Sequence, residues 1–263
     1  MDFTKISYEL DGDIAIISFN DPATMNAAGV DTGEQMLYAL EKAGDEARCT
    51  IITGKGRGFC SGANLSANPG GGGKASGKPD AGKQLDRVYN PLIKAIRTHP
   101  HPVITAINGA AAGVGCSIGI MGDFIIAAES AYFLQAFRRI GLVPDGGSTW
   151  LLPHMIGRAR AMEMALFGEK LPAAKALEWG LVNRVVADAD LMSEAKAYAE
   201  KLASGPTESL SMIRDLVWQG EDNTLDTQLQ AERFAQRTAG RNPDFAEGVS
   251  AFLEKRPANF RKS

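Results

Sequence analysis

The chain has 263 residues, 44% of them hydrophobic and 22% charged, with a formal net charge of −3. That is enough chain for one large core, or a core with a small appendage, and the charge balance excludes the basic field that nucleic-acid binding needs. The cysteines Cys49, Cys60 and Cys116 are scattered with no C-x-x-C pair, so neither a disulfide framework nor a metal site is expected, and a reducing cytoplasmic setting fits.

Met1–Leu10 has charges mixed through it and no apolar run of the kind a signal peptide carries. Ile6–Leu10 and Ile14–Phe19 flank Asp11-Gly12-Asp13, the pattern of a β-hairpin around a tight acidic-glycine turn. Asp31 is placed to cap a helix running to about Ala47. Cys49–Thr53 reads as a short buried strand that ends in the glycine-rich turn Gly54–Gly58. Residues 67–83, with Gly70–Gly73, read as a surface loop, followed by a helix over Gln84–Thr98. Pro100 and Pro102 bracket the entry to a strand Val103–Ile107. Then come a small-residue segment to Gly122 and a strand Asp123–Ala127. The weakly polar run Val103–Met121 is broken by glycines, Asn108 and Ser117, so it is not a membrane span. From Arg158 onward the pattern is helical, over Pro172–Trp179, Val186–Leu202, Thr207–Trp218, Thr224–Thr238 and Pro243–Leu253.

Two nucleotide motifs fail on inspection. The P-loop needs G-x-x-x-x-G-K-[ST]. Gly73-Lys74 is preceded by Asn68 at the first glycine position and followed by Ala75, and Gly77-Lys78 is followed by Pro79. The dinucleotide fingerprint fails at its third glycine, where Phe59 follows Gly54-Lys55-Gly56 and Ile118 follows Gly113-Val114-Gly115. His99, His101 and His154 have no metal-ligand spacing. Ser61 and Ser148 lack a nucleophile-elbow context, and Cys60 and Cys116 have no partner base in sequence.

Two segments remain, Gly58-Phe59-Cys60-Ser61-Gly62-Ala63-Asn64-Leu65 and Ile107-Asn108-Gly109-Ala110-Ala111-Ala112-Gly113-Val114-Gly115-Cys116. Each follows an apolar strand and is rich in small residues that let a ligand approach main-chain N–H groups. They are either two tight turns packed under neighbouring strands, or two halves of an oxyanion hole.

Those segments, with Gly141-Leu142-Val143-Pro144-Asp145-Gly146-Gly147-Ser148 and Phe252-Leu253-Glu254-Lys255-Arg256, resemble the ordered landmarks of the enoyl-CoA hydratase/isomerase (crotonase) superfamily over essentially the whole chain. Tyr89-Asn90-Pro91-Leu92, Thr149-Trp150-Leu151-Leu152-Pro153 and Thr224-Leu225-Asp226-Thr227-Gln228-Leu229 look closest to its epoxyphenylacetyl-CoA isomerase branch in phenylacetate degradation. The resemblance implies an α/β crotonase-like spiral of ββα turns over residues 1–200 and a helical trimerisation region over 201–263. The assembly implied is a homotrimer, or a hexamer as a dimer of trimers. It implies an acyl-CoA thioester as substrate, with coenzyme A belonging to the substrate and no separate cofactor.

The same resemblance places oxyanion donors at the N–H groups of Ala63 and Val114, with Gly113 opening a helix. It runs coenzyme A past Asn26, Ala28, Gly62, Asn64 and Leu65, and it brings Phe252 and Lys255 in from a neighbouring subunit. Phe137 and Leu142 are candidate walls for the acyl group, with Tyr89, Phe133, Trp150 and residues 66–88. The two glutamates of typical hydratases align with Ser117 and Phe137, neither of which is a carboxylate. Family isomerases carry an acid at Asp145, which on spacing alone is also a helix cap. The expectation is a Δ3-to-Δ2 enoyl-CoA or ring-epoxide isomerase using Asp145. The alternatives are a hydratase with some other water-activating group and a non-catalytic acyl-CoA-binding relative.

Overall fold

The computed structural model describes residues 1–64 and 80–260. The hairpin forms as its turn predicts: β1 (Ile6–Asp11) pairs antiparallel with β2 (Ile14–Phe19), and Gly12 takes the left-handed conformation, φ +59°, that the turn requires. Helix α1 (Val30–Glu46) is capped differently from the sequence expectation. Gly29 is its N-cap, the Thr32 hydroxyl accepts from the Gly29 N–H, and Asp31 accepts only from Thr32 next to it.

From β3 (Cys49–Gly54) onward the chain alternates between two sheets. Strand β4 (Gly58–Cys60) opens the second sheet. Helix α2 (Gly82–Gln84), a π-helical turn Leu85–Tyr89 and α3 (Asn90–Arg97) make one helical run back to the first sheet. There β5 (Val103–Ile107) lies parallel to β3, and β6 (Ala110–Ala112) returns to pair parallel with β4. Helix α4 (Val114–Gly119) leads to β7 (Phe124–Ala128) in the first sheet, then β8 (Tyr132–Leu134) joins the second. The result is a six-stranded sheet ordered β1-β2-β3-β5-β7-β10 and a four-stranded one ordered β4-β6-β8-β9. Each spiral turn gives one strand to each layer.

The switch between layers depends on backbone-to-backbone contact. A Cβ on Gly54 would lie 2.3 Å from the Gly58 carbonyl oxygen, and one on Gly109 would lie 2.2 Å from that of Arg57. Asn108 ties the two corners together, accepting from the Gly54 N–H at 3.2 Å and donating to the Gly56 and Gly58 carbonyls. The inner strands of the larger sheet, β2, β3, β5 and β7, are mostly apolar runs buried along most of their length, as expected of parallel strands covered on both faces.

Helices α5 (Ser148–Ile156) and α6 (Arg158–Phe167), strand β9 (Leu171–Pro172), α7 (Ala173–Trp179), β10 (Arg184–Val186) and α8 (Leu191–Ala203) complete the spiral. The sequence expectation of one helix over Val186–Leu202 is corrected here: Val186 ends a strand that pairs with β7, and the helix starts five residues later. Helices α9 (Thr207–Gly220), α10 (Leu225–Ala239) and α11 (Pro243–Glu254) form the rear of the chain. Arg48 fastens that rear to the core by donating to the carbonyls of Ala203, Gly205 and Phe260.

Candidate active site

The parallel pairing of β4 with β6 sets the two glycine-rich segments side by side as they leave the second sheet. Their backbones touch. A Cβ on Gly62 would come within 2.9 Å of the Ala112 carbonyl oxygen and 3.7 Å of the Gly113 Cα, and one on Gly115 would meet the Cys60 carbonyl oxygen at 2.2 Å. Gly62 and Gly113 have φ of +102° and +54°, open to glycine at little cost. Among the described residues, no protein acceptor takes the N–H of Ala63 or of Val114. Their neighbours are engaged: Gly113 N–H donates to Leu134, Asn64 N–H to Ala28, and Ala28 N–H to Gly62. Val114 is the first residue of α4, where an N–H has no intrahelical partner.

Asp145 is carried to the same place by a turn of two left-handed glycines, Gly146 at φ +58° and Gly147 at φ +76°. A Cβ on Gly146 would lie 2.7 Å from the Ser117 Cβ and 3.6 Å from a Val114 methyl, so the turn packs on the first turns of α4. The Asp145 carboxylate does not cap α5; Gly147 is the N-cap and receives no side-chain hydrogen bond. Instead, Oδ1 of Asp145 is buried with no hydrogen-bond partner among the described residues. Burial raises its pKa from 3.8 to about 6, because the ionised form loses water without gaining a donor or a cation.

The Asp145 main-chain carbonyl is by contrast well supplied. It accepts from the Ser117 hydroxyl at 2.9 Å, the Ser148 hydroxyl at 2.9 Å and the Ser148 N–H at 3.2 Å. Tyr89 stands close by, its hydroxyl donating to the Ala28 carbonyl at 2.7 Å. Its pKa is pushed up to about 12 by burial first and then by the charges of Cys60, Asp145 and Asp31. The Phe137 ring comes within 3.9 Å of where a Gly113 Cβ would be, and Leu142, 43% exposed, donates its N–H to the Phe137 carbonyl at 3.1 Å.

Other residues expected from the sequence fall elsewhere or are already engaged. The Asn26 side chain is buried, accepting from the Asp21 N–H and donating to the Lys55 and Gly58 carbonyls. It staples the loop, and only main-chain atoms there are left for a ligand. The Ala28 carbonyl takes both Asn64 N–H and the Tyr89 hydroxyl. Leu65 and residues 66–79 lie outside the described residues. Phe252 is 82% exposed on α11 and Lys255 caps that helix at φ +56°; neither joins the cluster around Asp145 in this chain. Cys60 and Cys116 are buried, with thiols pushed up to about 12 by desolvation, which leaves no thiolate for nucleophilic work. The donors to the Asp145 carbonyl and the buried Gln135, whose Oε1 lies 3.4 Å from the Ser148 hydroxyl, were not foreseen as a group. A serine inside the otherwise apolar α4 was their one sequence signal.

Among the described residues, a buried carboxylate oxygen without a donor thus sits on a turn packed against α4, whose first N–H has no acceptor. Comparisons with known proteins supply the family. The family described as enoyl-CoA hydratase/isomerase matches residues 9–263. The 1,2-epoxyphenylacetyl-CoA isomerase of Escherichia coli strain K12 is 45% identical over 252 residues, covering 94% of each chain. A “probable enoyl-CoA hydratase” of Rhodobacter capsulatus is 43% identical over 99% of each. The crystal structure of an enoyl-CoA hydratase from Bacillus anthracis superposes with a TM-score of 0.92 at 30% identity, covering 99% of this chain and 100% of that one. The chain is a member of the enoyl-CoA hydratase/isomerase family, with the crotonase fold.

Proposed function

We propose that this enzyme isomerises an unsaturated acyl-CoA, moving a double bond from Δ3 to Δ2, with Asp145 as the acid/base. The observation that carries the reading is an Asp145 Oδ1 and, at the start of the neighbouring α4, a first N–H that both lack partners among the described residues. In this reading the N–H groups of Ala63 and Val114 hold the thioester oxygen as it gains charge. The Asp145 carboxylate takes a proton from C2 to give the dienolate, then returns it to C4. Substrate and product differ only in the double bond, and the carboxylate ends as it began. A group with a pKa near 6 is ionised at neutral pH and still basic enough to accept the proton.

No carboxylate stands at position 117 or 137 to activate water, which sets the hydratase reading second. The E. coli relative, a 1,2-epoxyphenylacetyl-CoA isomerase, suggests a ring-epoxide phenylacetyl-CoA as a further substrate, since the same oxyanion stabilisation would serve it. Coenzyme A would run along Gly62, Asn64 and Leu65 and past the Asn26–Ala28 main chain, with Phe137 and Leu142 walling the acyl group. No resident cofactor or metal is invoked. We read residues 201–263 as the trimerisation region of a cytoplasmic homotrimer or dimer of trimers. The apolar groove of about 960 Å³ between α9, α10 and α11 supports that reading. So do the exposed Phe252 and Lys255, which a neighbouring subunit's site would take up. The test is product mass. Incubation with a 3-enoyl-CoA is expected to give a 2-enoyl-CoA of unchanged mass, and crotonyl-CoA to gain no water. Gain of one water from crotonyl-CoA at a comparable rate would replace isomerase with hydratase, and binding with no turnover of either would leave the non-catalytic reading.

A further inference from the structure

We propose that Ser117 and Ser148 are positioning residues that clamp the Asp145 main-chain carbonyl, fixing the carboxylate in place while leaving its oxygens free of donors. The inference rests on the reading of Asp145 as the acid/base and deepens it.

The Ser117 hydroxyl departs from its local default. A serine inside a helix usually returns its hydroxyl to the carbonyl three or four residues back, which here means Val114 or Gly113. Instead Ser117, fully buried in α4, reaches across to Asp145, 28 residues on, at 2.9 Å. Ser148 supplies a second hydroxyl at 2.9 Å and its own N–H at 3.2 Å. Gln135 Oε1 also faces the Ser148 hydroxyl, at 3.4 Å, but a hydroxyl has one proton and the Asp145 carbonyl is nearer. One carbonyl thus gathers three donors drawn from two helices.

The turn needs such a clamp. Gly146 and Gly147 are both left-handed, and two consecutive glycines leave the peptide ahead of them free to pivot. The side chain cannot anchor itself, because Oδ1 has no partner among the described residues. Placement of the donors also matters for the chemistry. Hydroxyls directed at the carboxylate would stabilise its anion and weaken it as a base. Directed at the carbonyl of the same residue, they supply rigidity without that loss. Space reinforces the arrangement: a Cβ on Gly146 would lie 2.7 Å from the Ser117 Cβ and 3.0 Å from its hydroxyl oxygen, so only glycine at 146 lets the turn come this close to Ser117.

The experiment is a comparison of Ser117→Ala, Ser148→Ala, the double variant and the hydroxyl-keeping Ser148→Thr. Each is measured for kcat and KM on a 3-enoyl-CoA between pH 4.5 and 8, with Tm alongside and Asp145→Asn as a parallel control. Each single alanine is expected to lower kcat about 10-fold and the pair about 10²-fold, with KM within about twofold. In the double variant the acid-side midpoint of kcat should fall below that of the wild type, as the loosened carboxylate swings towards water. Ser148→Thr should keep both kcat and midpoint. Serine variants that lose Tm but keep wild-type kcat and midpoint, while Asp145→Asn is inactive, would overturn the clamp alone. Wild-type turnover in Asp145→Asn would instead overturn the acid/base reading, and the clamp with it. The single variants decide the matter if the double variant does not fold.

Discussion

Two of the places where the protein buries polar groups treat them in opposite ways. Where α9 docks on the core, Arg214 is buried and its guanidinium is matched on every side. Nε donates to Asp123 at 2.6 Å, and the terminal nitrogens donate to the His99 and Ile96 carbonyls. Asp123 in turn accepts from the Val103 N–H and the Trp218 indole. His99 and His101 nearby have depressed pKa values, burial being the first cause in both. As neutral rings they face the carbonyls of Leu40 and Ala43. At the candidate active site the donors and acceptor are unmatched among the described residues: two N–H groups without acceptors and a carboxylate oxygen without a donor. Buried polar groups are nearly always paired because leaving one unpaired costs about 1–3 kcal/mol. A matched cluster therefore reads as a joint. Under the proposed function, the unmatched one is completed by the substrate.

The largest effect should come from the unmatched side. Asp145→Ala is expected to lower kcat by about 10²–10⁴-fold with little change in affinity for coenzyme A. Steady-state turnover of a 3-enoyl-CoA, with a CoA binding isotherm, checks it, and unchanged turnover would remove Asp145 from the chemistry. Next is Val114→Pro. Proline is tolerated at the first position of a helix, where the N–H it lacks has no helical partner. The change should remove one oxyanion donor and cost roughly 2.7–4 kcal/mol of transition-state stabilisation. Circular dichroism confirms that α4 and its surroundings still fold, and a folded variant at full activity would break the contrast between the two regions.

On the matched side the sign of the outcome changes. Arg214→Met is expected to leave kcat per folded molecule unaltered while lowering stability by about 2–4 kcal/mol, since Asp123 and two carbonyls lose their partner. Urea unfolding measures the loss. The figure lies below that for a fully buried pair because the Asp123 side chain keeps 19% of its exposure to water. Loss of activity without loss of stability would show that the α9 joint is part of the site after all.

How much of this was legible in the sequence follows from distance along the chain. The hairpin at Gly12 and the strand Val103–Ile107 were readable because their signals are local. The start of α4 at Gly113-Val114 came only from the resemblance, since its small residues carry no local helix signal. Strand β6 was not readable. It is three alanines, a poor β-former, held extended by its neighbours β4 and β8. Strand β10 was not readable either: it is three residues long, and its last one, Val186, reads in the sequence as the start of the following helix. Asp145 could be picked out by resemblance, but spacing alone left it a helix cap, and only the structure shows Gly147 in that role. Nothing local pairs Ser117 with Asp145, or Arg214 with a carboxylate 91 residues away. Such contacts exist only once the spiral has stacked its turns.

The smallest predicted effect tests the contrast most directly, because it asks what the unmatched carboxylate does to the fold itself. Asp145 has its pKa raised from 3.8 to about 6 by burial, so the folded protein holds that proton more tightly than the unfolded chain does. Well below pH 3.8 the group is protonated in both states and contributes nothing to the difference, and at pH 4 only a small part of the penalty has appeared. As pH rises from 4 to 6 the unfolded chain ionises first and stability falls; above 6 the penalty is constant. Asp145→Asn cannot ionise and escapes the penalty. It is therefore expected to be more stable than the wild type by about 1–2 kcal/mol at pH 8, allowing for water that reaches the carboxyl group, with most of the gap closed by pH 4. Urea unfolding of both proteins at pH 4, 5, 6 and 8 reads this directly. A gap that does not vary with pH would mean the carboxylate is as well solvated in the fold as outside it. Asp123→Asn should move the other way and destabilise, because there the charge has a cation to hold. Opposite signs for one substitution at two aspartates would separate a residue kept for chemistry from one kept for structure.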